Sequence, residues 1–239
     1  MSRIAFVIGN YPPAELELRK KAVMAYASEE VEIGFIPVAA TSFIYGIGPA
    51  EIQMLAPYYI DAYRRAEQEG YDAAVPLGML ELGVDGGRSA VDIPVIGPCE
   101  ATLSLAALLG DRFGFIGYEE RMRPFLQAIV ARHGMAGRIA GWKDVGVDNP
   151  DLLASRDKVI ANFMAAARSL IRDHGAEVII PMGVSHCPAL FKPEWAADQL
   201  QVPVVDGIGA PIRLAATLAS LKLRHSRIRW PKSHSKTQT

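Results

Sequence analysis

Two stretches of the chain, VPLGMLE at residues 75–81 and IPMGVSH at 180–186, repeat one pattern: proline, a large apolar residue, glycine, and three residues later an ionisable side chain. The ionisable groups are Glu81 and His186. A carboxylate and an imidazole on opposite sides of a small molecule make a workable acid/base pair near neutral pH. Cys187 follows His186, and a thiol beside an imidazolium is a candidate nucleophile or proton donor. Adjacent residues of an extended loop point apart, so either His186 or Cys187 alone is expected to face a ligand. The plainer readings are that Glu81 caps a local turn and His186 is a polar loop residue. Glu81, His186 and Cys187 are also acceptable zinc ligands, but a fourth ligand and a local ligand spacing are both missing. No metal and no cofactor is therefore expected.

The elements that must position these groups are strand-like apolar runs at 4–8, 31–37, 73–77, 94–96, 113–116, 139–145, 178–182 and 203–205. Helical stretches at 14–28, 50–69, 100–109, 121–133, 152–174 and 210–221 lie between most of them. In the fifth, Leu152, Val159, Phe163, Ala166 and Leu170 form an apolar stripe of helical period. Strands alternating with helices imply an α/β fold with parallel sheets covered on both faces. The halves also echo each other. RIAFVI and RFGFIG, IPVIG and VPVVD, and LAALL and LAATL each recur 109 residues apart, and VPLG and IPMG 105 apart. This predicts a duplicated unit of about four strands, with residues 1–110 plus 205–225 in one half and 111–204 in the other. Chance reuse of apolar strand patterns is the alternative.

Ligands of open parallel sheets sit beyond the carboxyl ends of the strands. Two duplicated sheets facing each other there would set Gly78 and Gly183 on opposite walls of one cleft. Glycine permits positive φ and close backbone approach, so the N–H groups that follow, at Met79 and Val184, could point at a carboxylate or oxyanion. Asn10, Ser185 and Tyr118 fall at the same strand ends, and Phe43 and Tyr45 could supply an apolar wall. For the aromatic residues, packing is an equally good reading.

Bulk properties narrow the ligand. The chain has 239 residues, half of them apolar, and 25 basic against 26 acidic side chains, giving a formal net charge of -1. Nothing attracts it globally to nucleic acid or to an anionic membrane, so a small molecule is the expected partner. Two cysteines make no disulfide framework, and no leader or membrane-crossing stretch is visible, which predicts a cytoplasmic protein. The segment after Leu223 is basic and aperiodic, and residues 226–239 read as a loosely ordered tail.

The chain resembles the Asp/Glu/hydantoin racemase superfamily, most closely its hydantoin racemase branch. The resemblance rests on Asn10 in VIGNYPP, SFIYG at 42–46, EGYDAAVPLGMLELG at 69–83, VDIPVIGPCEATLSLAALLGDRFGFIG at 91–117, GAEVII at 175–180 and VPVVDGIGAPIRLA at 202–215. It implies a pseudo-symmetric fold, a homo-oligomer and cofactor-independent proton transfer next to a carbonyl. Family members use two cysteines as opposed acid and base, and the matching positions here are Gly78 and Gly183. Maleate isomerases keep both thiols and arylmalonate decarboxylases the second, so losing both argues against two-thiol racemisation. Glu81 falls where hydantoin racemases carry an acidic residue; His186 has no such counterpart. The expectation is an isomerase, lyase or decarboxylase working through Glu81, His186 or Cys187. A hydrolase of a cyclic amide, imide or lactone, with His186 activating water, is the second reading, and a non-catalytic binding protein is the third.

Overall fold

The computed structural model describes residues 1–39, 48–147 and 153–232. Two parallel three-stranded sheets form its frame. In the first, β1 (Ser2–Ile8) lies between β2 (Val31–Pro37) and β3 (Ala73–Pro76); in the second, β4 (Phe113–Gly117) lies between β5 (Ile139–Asp144) and β6 (Val178–Pro181). Residues Ile4 to Ile8 and the whole of β4 are buried, which is why the central strands read as unbroken apolar runs. The expected fourth strands shrink to single parallel bridges, Val95 to Ala74 and Val204 to Ile179. In both copies the proline carbonyl, Pro94 or Pro203, accepts from the neighbouring strand, and proline has no N–H to extend the ladder.

Eight α-helices cover these sheets among the described residues: α1 (Pro13–Met24), α2 (Pro49–Gln68), α3 (Val84–Ala90), α4 (Pro98–Ala106), α5 (Arg123–Arg132), α6 (Arg156–His174), α7 (Pro193–Leu200) and α8 (Gly209–Ser220). Five of them, α1, α2, α4, α5 and α7, carry proline in the first turn, where its missing N–H costs nothing. Helices α3 and α7 were not expected from the sequence. The two glycines of α3 argue against a helix, but a Cβ at Gly86 would sit 2.4 Å from Ile60 Cδ1 and one at Gly87 2.4 Å from the Tyr63 ring. Close packing on α2, not propensity, selects them.

The duplication is visible bond by bond. Arg3 donates to the carbonyls of Glu69 and Gly70 just past α2, and Arg112 donates to those of His174 and Gly175 at the end of α6. Each places a cation where a helix exposes unpaired carbonyls. Leu77 N–H donates to Val7 and Met182 N–H to Ile116, both at 2.8 Å, so the chain leaves β3 and β6 in the same way. The helices after the two single bridges each cover the other sheet. Ile212 and Ala215 of α8, with Ile208 just before it, pack with Ile4, Phe6 and Val75 of the first sheet, while Cys99, Leu103 and Ala106 of α4 pack with Phe113, Phe115 and Ile180 of the second.

The basic segment after Leu223 differs from expectation as far as residue 232. Arg227 donates to the carbonyls of Arg88 and Val91 and pairs with Asp92, and Trp230 lies over the Arg88 guanidinium. Its charges answer carbonyls at the end of α3, which a reading of local periodicity does not reveal.

Candidate active site

The carboxyl ends of the two sheets meet. Met79 follows Gly78 and Val184 follows Gly183, and both side chains converge on Gly207, where a Cβ would lie 2.3 Å from Met79 Sδ and 3.4 Å from Val184 Cγ1. Further long-range bonds close the arrangement. Arg19 of α1 donates to Ser185 Oγ at 2.8 Å, and Tyr26 donates to Asp206 at 2.8 Å. Asp206 in turn accepts from Ile208 and Gly209 N–H, anchoring the start of α8.

The two walls are unlike. Gly78 has φ +103, and among the described residues nothing lies within 4 Å of where its Cβ would stand. At Gly183 the corresponding space is filled: a Cβ would be 2.1 Å from Tyr118 Cζ and 2.4 Å from its hydroxyl oxygen. Only glycine fits beneath that ring. The 109-residue repeat makes Gly9 the first-half equivalent of Tyr118, so the repeat supplies no counterpart of that ring on the first wall. Tyr118 is half-buried, its hydroxyl accepts from Ser185 N–H at 2.9 Å, and its ring packs on His186 at 4.7 Å between centroids. Burial pushes the phenol up to about 12, against the pull of Ser185 and of the Arg19 charge. Among the described residues no acceptor takes the N–H of Met79, Leu80 or Val184, leaving these donors for a carbonyl or carboxylate oxygen.

The structure does not bring Glu81 and His186 together as an opposed pair. Glu81 sits at φ 55 with its side chain 1% exposed. One carboxylate oxygen accepts from Glu100 N–H at 2.8 Å; the other lies 3.0 Å from Arg132 and 2.8 Å from His133 Nε2. Burial pulls its pKa up, yet the hydrogen bond and charge of His133, the Glu100 N–H and Arg132 together hold it below the usual carboxylate value. Glu81 is thus a fixed anion tying the loop after β3 to α4 and to the end of α5, with both oxygens occupied. Gly97 makes room for it, since a Cβ there would stand 2.3 Å from Glu81 Oε1.

His186 is fully buried between Tyr118 and Phe163. Its Nδ1 accepts from Cys187 N–H at 3.1 Å, and its Nε2 has no partner. Burial drives its pKa down to about 3, so the ring is neutral and screened from water, which removes the ground for water activation. Cys187 is also fully buried, in the apolar cluster with Phe163, Leu190 and Phe191, and burial with the nearby Asp206 and Glu194 charges pushes its thiol well up. It is a packing residue and not a thiolate. Cys99 is likewise buried, with its thiol raised first by burial and then by Glu81.

Of the other expected residues, Asn10 is exposed at the end of β1, Ser185 is buried beneath Arg19, and the side chains of Met79 and Val184 serve packing at Gly207. Phe43 and Tyr45 lie outside the described residues. The sequence reading missed Arg19. It is 2% exposed, pairs with Glu15 at 2.9 Å, stacks on Tyr11 at 4.0 Å and leaves Nε without a partner. In ELELRKK it looks like one charge of a solvated helix face; only the i,i+4 spacing from Glu15 hints otherwise.

Fold and site geometry together define a pseudo-symmetric α/β protein with a candidate site where two parallel sheets meet end to end. Residues 30–215 match the family model described as Asp/Glu/Hydantoin racemase, and the chain belongs to that family. It is similar to a hydantoin racemase of Pseudomonas sp. (strain NS671), 25% identical over 190 residues that cover 77% of this chain and 75% of that protein. A hydantoin racemase of Paenarthrobacter aurescens is 27% identical over 187 residues, covering 75% and 78%. Among solved structures, allantoin racemase from Pseudomonas fluorescens superimposes with TM-score 0.88 at 24% identity over 99% of each chain. Unliganded arylmalonate decarboxylase gives 0.62 at 17% identity over 92% of this chain and 93% of that one. Among the described residues no helix is long and apolar enough to cross a membrane.

Proposed function

We propose that this protein is a cofactor-independent proton-transfer enzyme that generates an enolate next to a carbonyl of a small carboxylate or cyclic amide and protonates it from one face. The observation that carries the reading is the inequality of the walls among the described residues: no neighbour within 4 Å of a Cβ at Gly78, and the Tyr118 ring over Gly183. Racemisation through a planar intermediate needs a proton donor on each face, whereas a lyase, or an isomerase of one-sided outcome, needs one. The backbone N–H groups of Met79, Leu80 and Val184 would hold the enolate oxygen. Hydantoins, allantoin and arylmalonates, named for the relatives, all carry a carbon activated in this manner and form the first panel of compounds.

A second reading, two-faced racemisation, is favoured by the names of the hydantoin racemase relatives. The two separate by incubating the enzyme in heavy water with 5-monosubstituted hydantoins, allantoin and arylmalonates, then analysing label and handedness by NMR and chiral chromatography. One labelled enantiomer supports one-faced protonation. Label in both hands at equal rates supports racemisation, and ring opening without label supports hydrolysis.

A further inference from the structure

We propose that the Tyr118 hydroxyl is the proton donor of the second wall and that buried Arg19, acting through Ser185, is the positioning residue that readies it. The assignment rests on the one-faced proton transfer argued above. Its first support is place. The Tyr118 hydroxyl oxygen lies 2.4 Å from the ideal Cβ of Gly183, so it stands where the side chain of that strand end would present its reactive atom. His186 and Cys187 are each enclosed, which leaves the half-buried Tyr118 as the more accessible titratable group of this wall among the described residues.

The second support is the charge behind it. A guanidinium taken out of water is costly unless negative charge or strong acceptors answer it. Arg19 is 2% exposed, has Glu15 on one side and donates to Ser185 Oγ on the other, and among the described residues its Nε is unpartnered. Ser185 is also the residue whose N–H donates to the Tyr118 oxygen at 2.9 Å. The line Arg19, Ser185, Tyr118 is therefore built to receive negative charge on the phenol oxygen. The groups facing Tyr118 are Ser185 and neutral His186 from the loop after β6, Arg19 and its partner Glu15 from α1, and Tyr11 before it. Arg19 is the cation among them.

The step balances simply. The bond from the reacting carbon to the group it loses breaks, carbon dioxide leaving a malonate and a proton passing from a hydantoin or allantoin to solvent water, and the electron pair stays in the enolate. The Tyr118 O–H bond then breaks, its proton forms the new C–H bond, and the phenolate is held by Ser185 N–H and the Arg19 charge. A proton from water restores the phenol. Because burial keeps the phenol protonated near neutral pH, Tyr118 acts as an acid in this direction.

The test uses the full chain in heavy water with an arylmalonate, a 5-monosubstituted hydantoin and allantoin. Tyr118→Phe is expected to lower formation of labelled product on the order of 100-fold or more, the usual worth of a positioned acid, while the compound still raises Tm. Arg19→Lys and Ser185→Ala are expected to lower kcat with little change in KM. With 3,5-difluorotyrosine at position 118, a more acidic phenol, the alkaline limb of the pH profile should move to lower pH. The absorbance titration of that phenol should move up when Arg19→Lys or Ser185→Ala is added. A wild-type enzyme that labels none of the compounds contradicts the proton-transfer reading and this assignment with it. Labelled product from Tyr118→Phe within threefold of wild type, or a pH profile and titration indifferent to these changes, overturns the assignment alone.

Discussion

Substituting Gly183 by alanine probes the packing on which the difference between the walls depends. The added Cβ would lie 2.1 Å from Tyr118 Cζ and 2.4 Å from Cε2 and the hydroxyl oxygen, so the ring must leave its position. Doing so breaks the Ser185 N–H bond to the hydroxyl, worth about 1 kcal/mol net. Overpacking adds about 1–3 kcal/mol, and the reduced freedom of the unfolded chain returns about 0.4–1 kcal/mol. A net destabilisation of about 2–3 kcal/mol follows from these terms. Tyr118→Ala removes the obstacle, so adding Gly183→Ala to it should cost almost nothing, a coupling of about 2 kcal/mol in a double-mutant cycle measured by urea unfolding. Gly78→Ala is the control. It meets nothing within 4 Å but requires φ +103, and so should cost about 1–3 kcal/mol of backbone strain with no coupling to Tyr118. Additivity of Gly183→Ala and Tyr118→Ala within about 0.5 kcal/mol would refute the reasoning.

Three further outcomes are expected. Burial lowers the His186 pKa to about 3 from the ordinary imidazole value of 6.5, so the unfolded chain binds the extra proton. Its contribution is complete above the unfolded value and is lost as pH falls through the folded one, amounting to about 2 kcal/mol between pH 6.5 and 5 at about 1.36 kcal/mol per unit. Urea midpoints across that range should flatten in His186→Leu, and an unchanged slope would count against burial of the neutral ring. Glu81→Gln removes the buried carboxylate charge that answers His133 and half-exposed Arg132 and should cost about 1–3 kcal/mol in unfolding free energy, whereas no measurable loss would mark the cluster as solvated. Truncation after Leu223 removes the Arg227 bonds to Arg88, Val91 and Asp92. It should lower stability by about 1–2 kcal/mol by calorimetry; an unchanged Tm would restore the picture of a loose tail.

Much of the fold was legible in the sequence because it is written in local pattern. Apolar strand runs, the 109-residue echo and the glycine turns after Leu77 and Met182 all survive in the structure. The helices built on close packing were not, since Gly86 and Gly87 are chosen by Ile60 and Tyr63 across an interface. The site was half legible. Its walls follow from the repeat, but counting three residues past each glycine led to Glu81 and His186, whose surroundings are set by distant partners. Glu81 is fixed by His133 and Arg132 from the other half, and His186 is enclosed by Tyr118 and Phe163. Arg19 reads as surface charge until Ser185 is placed against it. Pattern locates the strand ends, while packing decides which side chain reaches the cleft.

The most direct test of unlike walls is the stereochemical course of turnover in heavy water with a prochiral arylmalonate. The account predicts a single enantiomer of the monoacid, deuterated at the new C–H bond, whose formation collapses in Tyr118→Phe. Racemic labelled product formed at equal rates by the wild-type enzyme, with Tyr118→Phe unaffected, would contradict it.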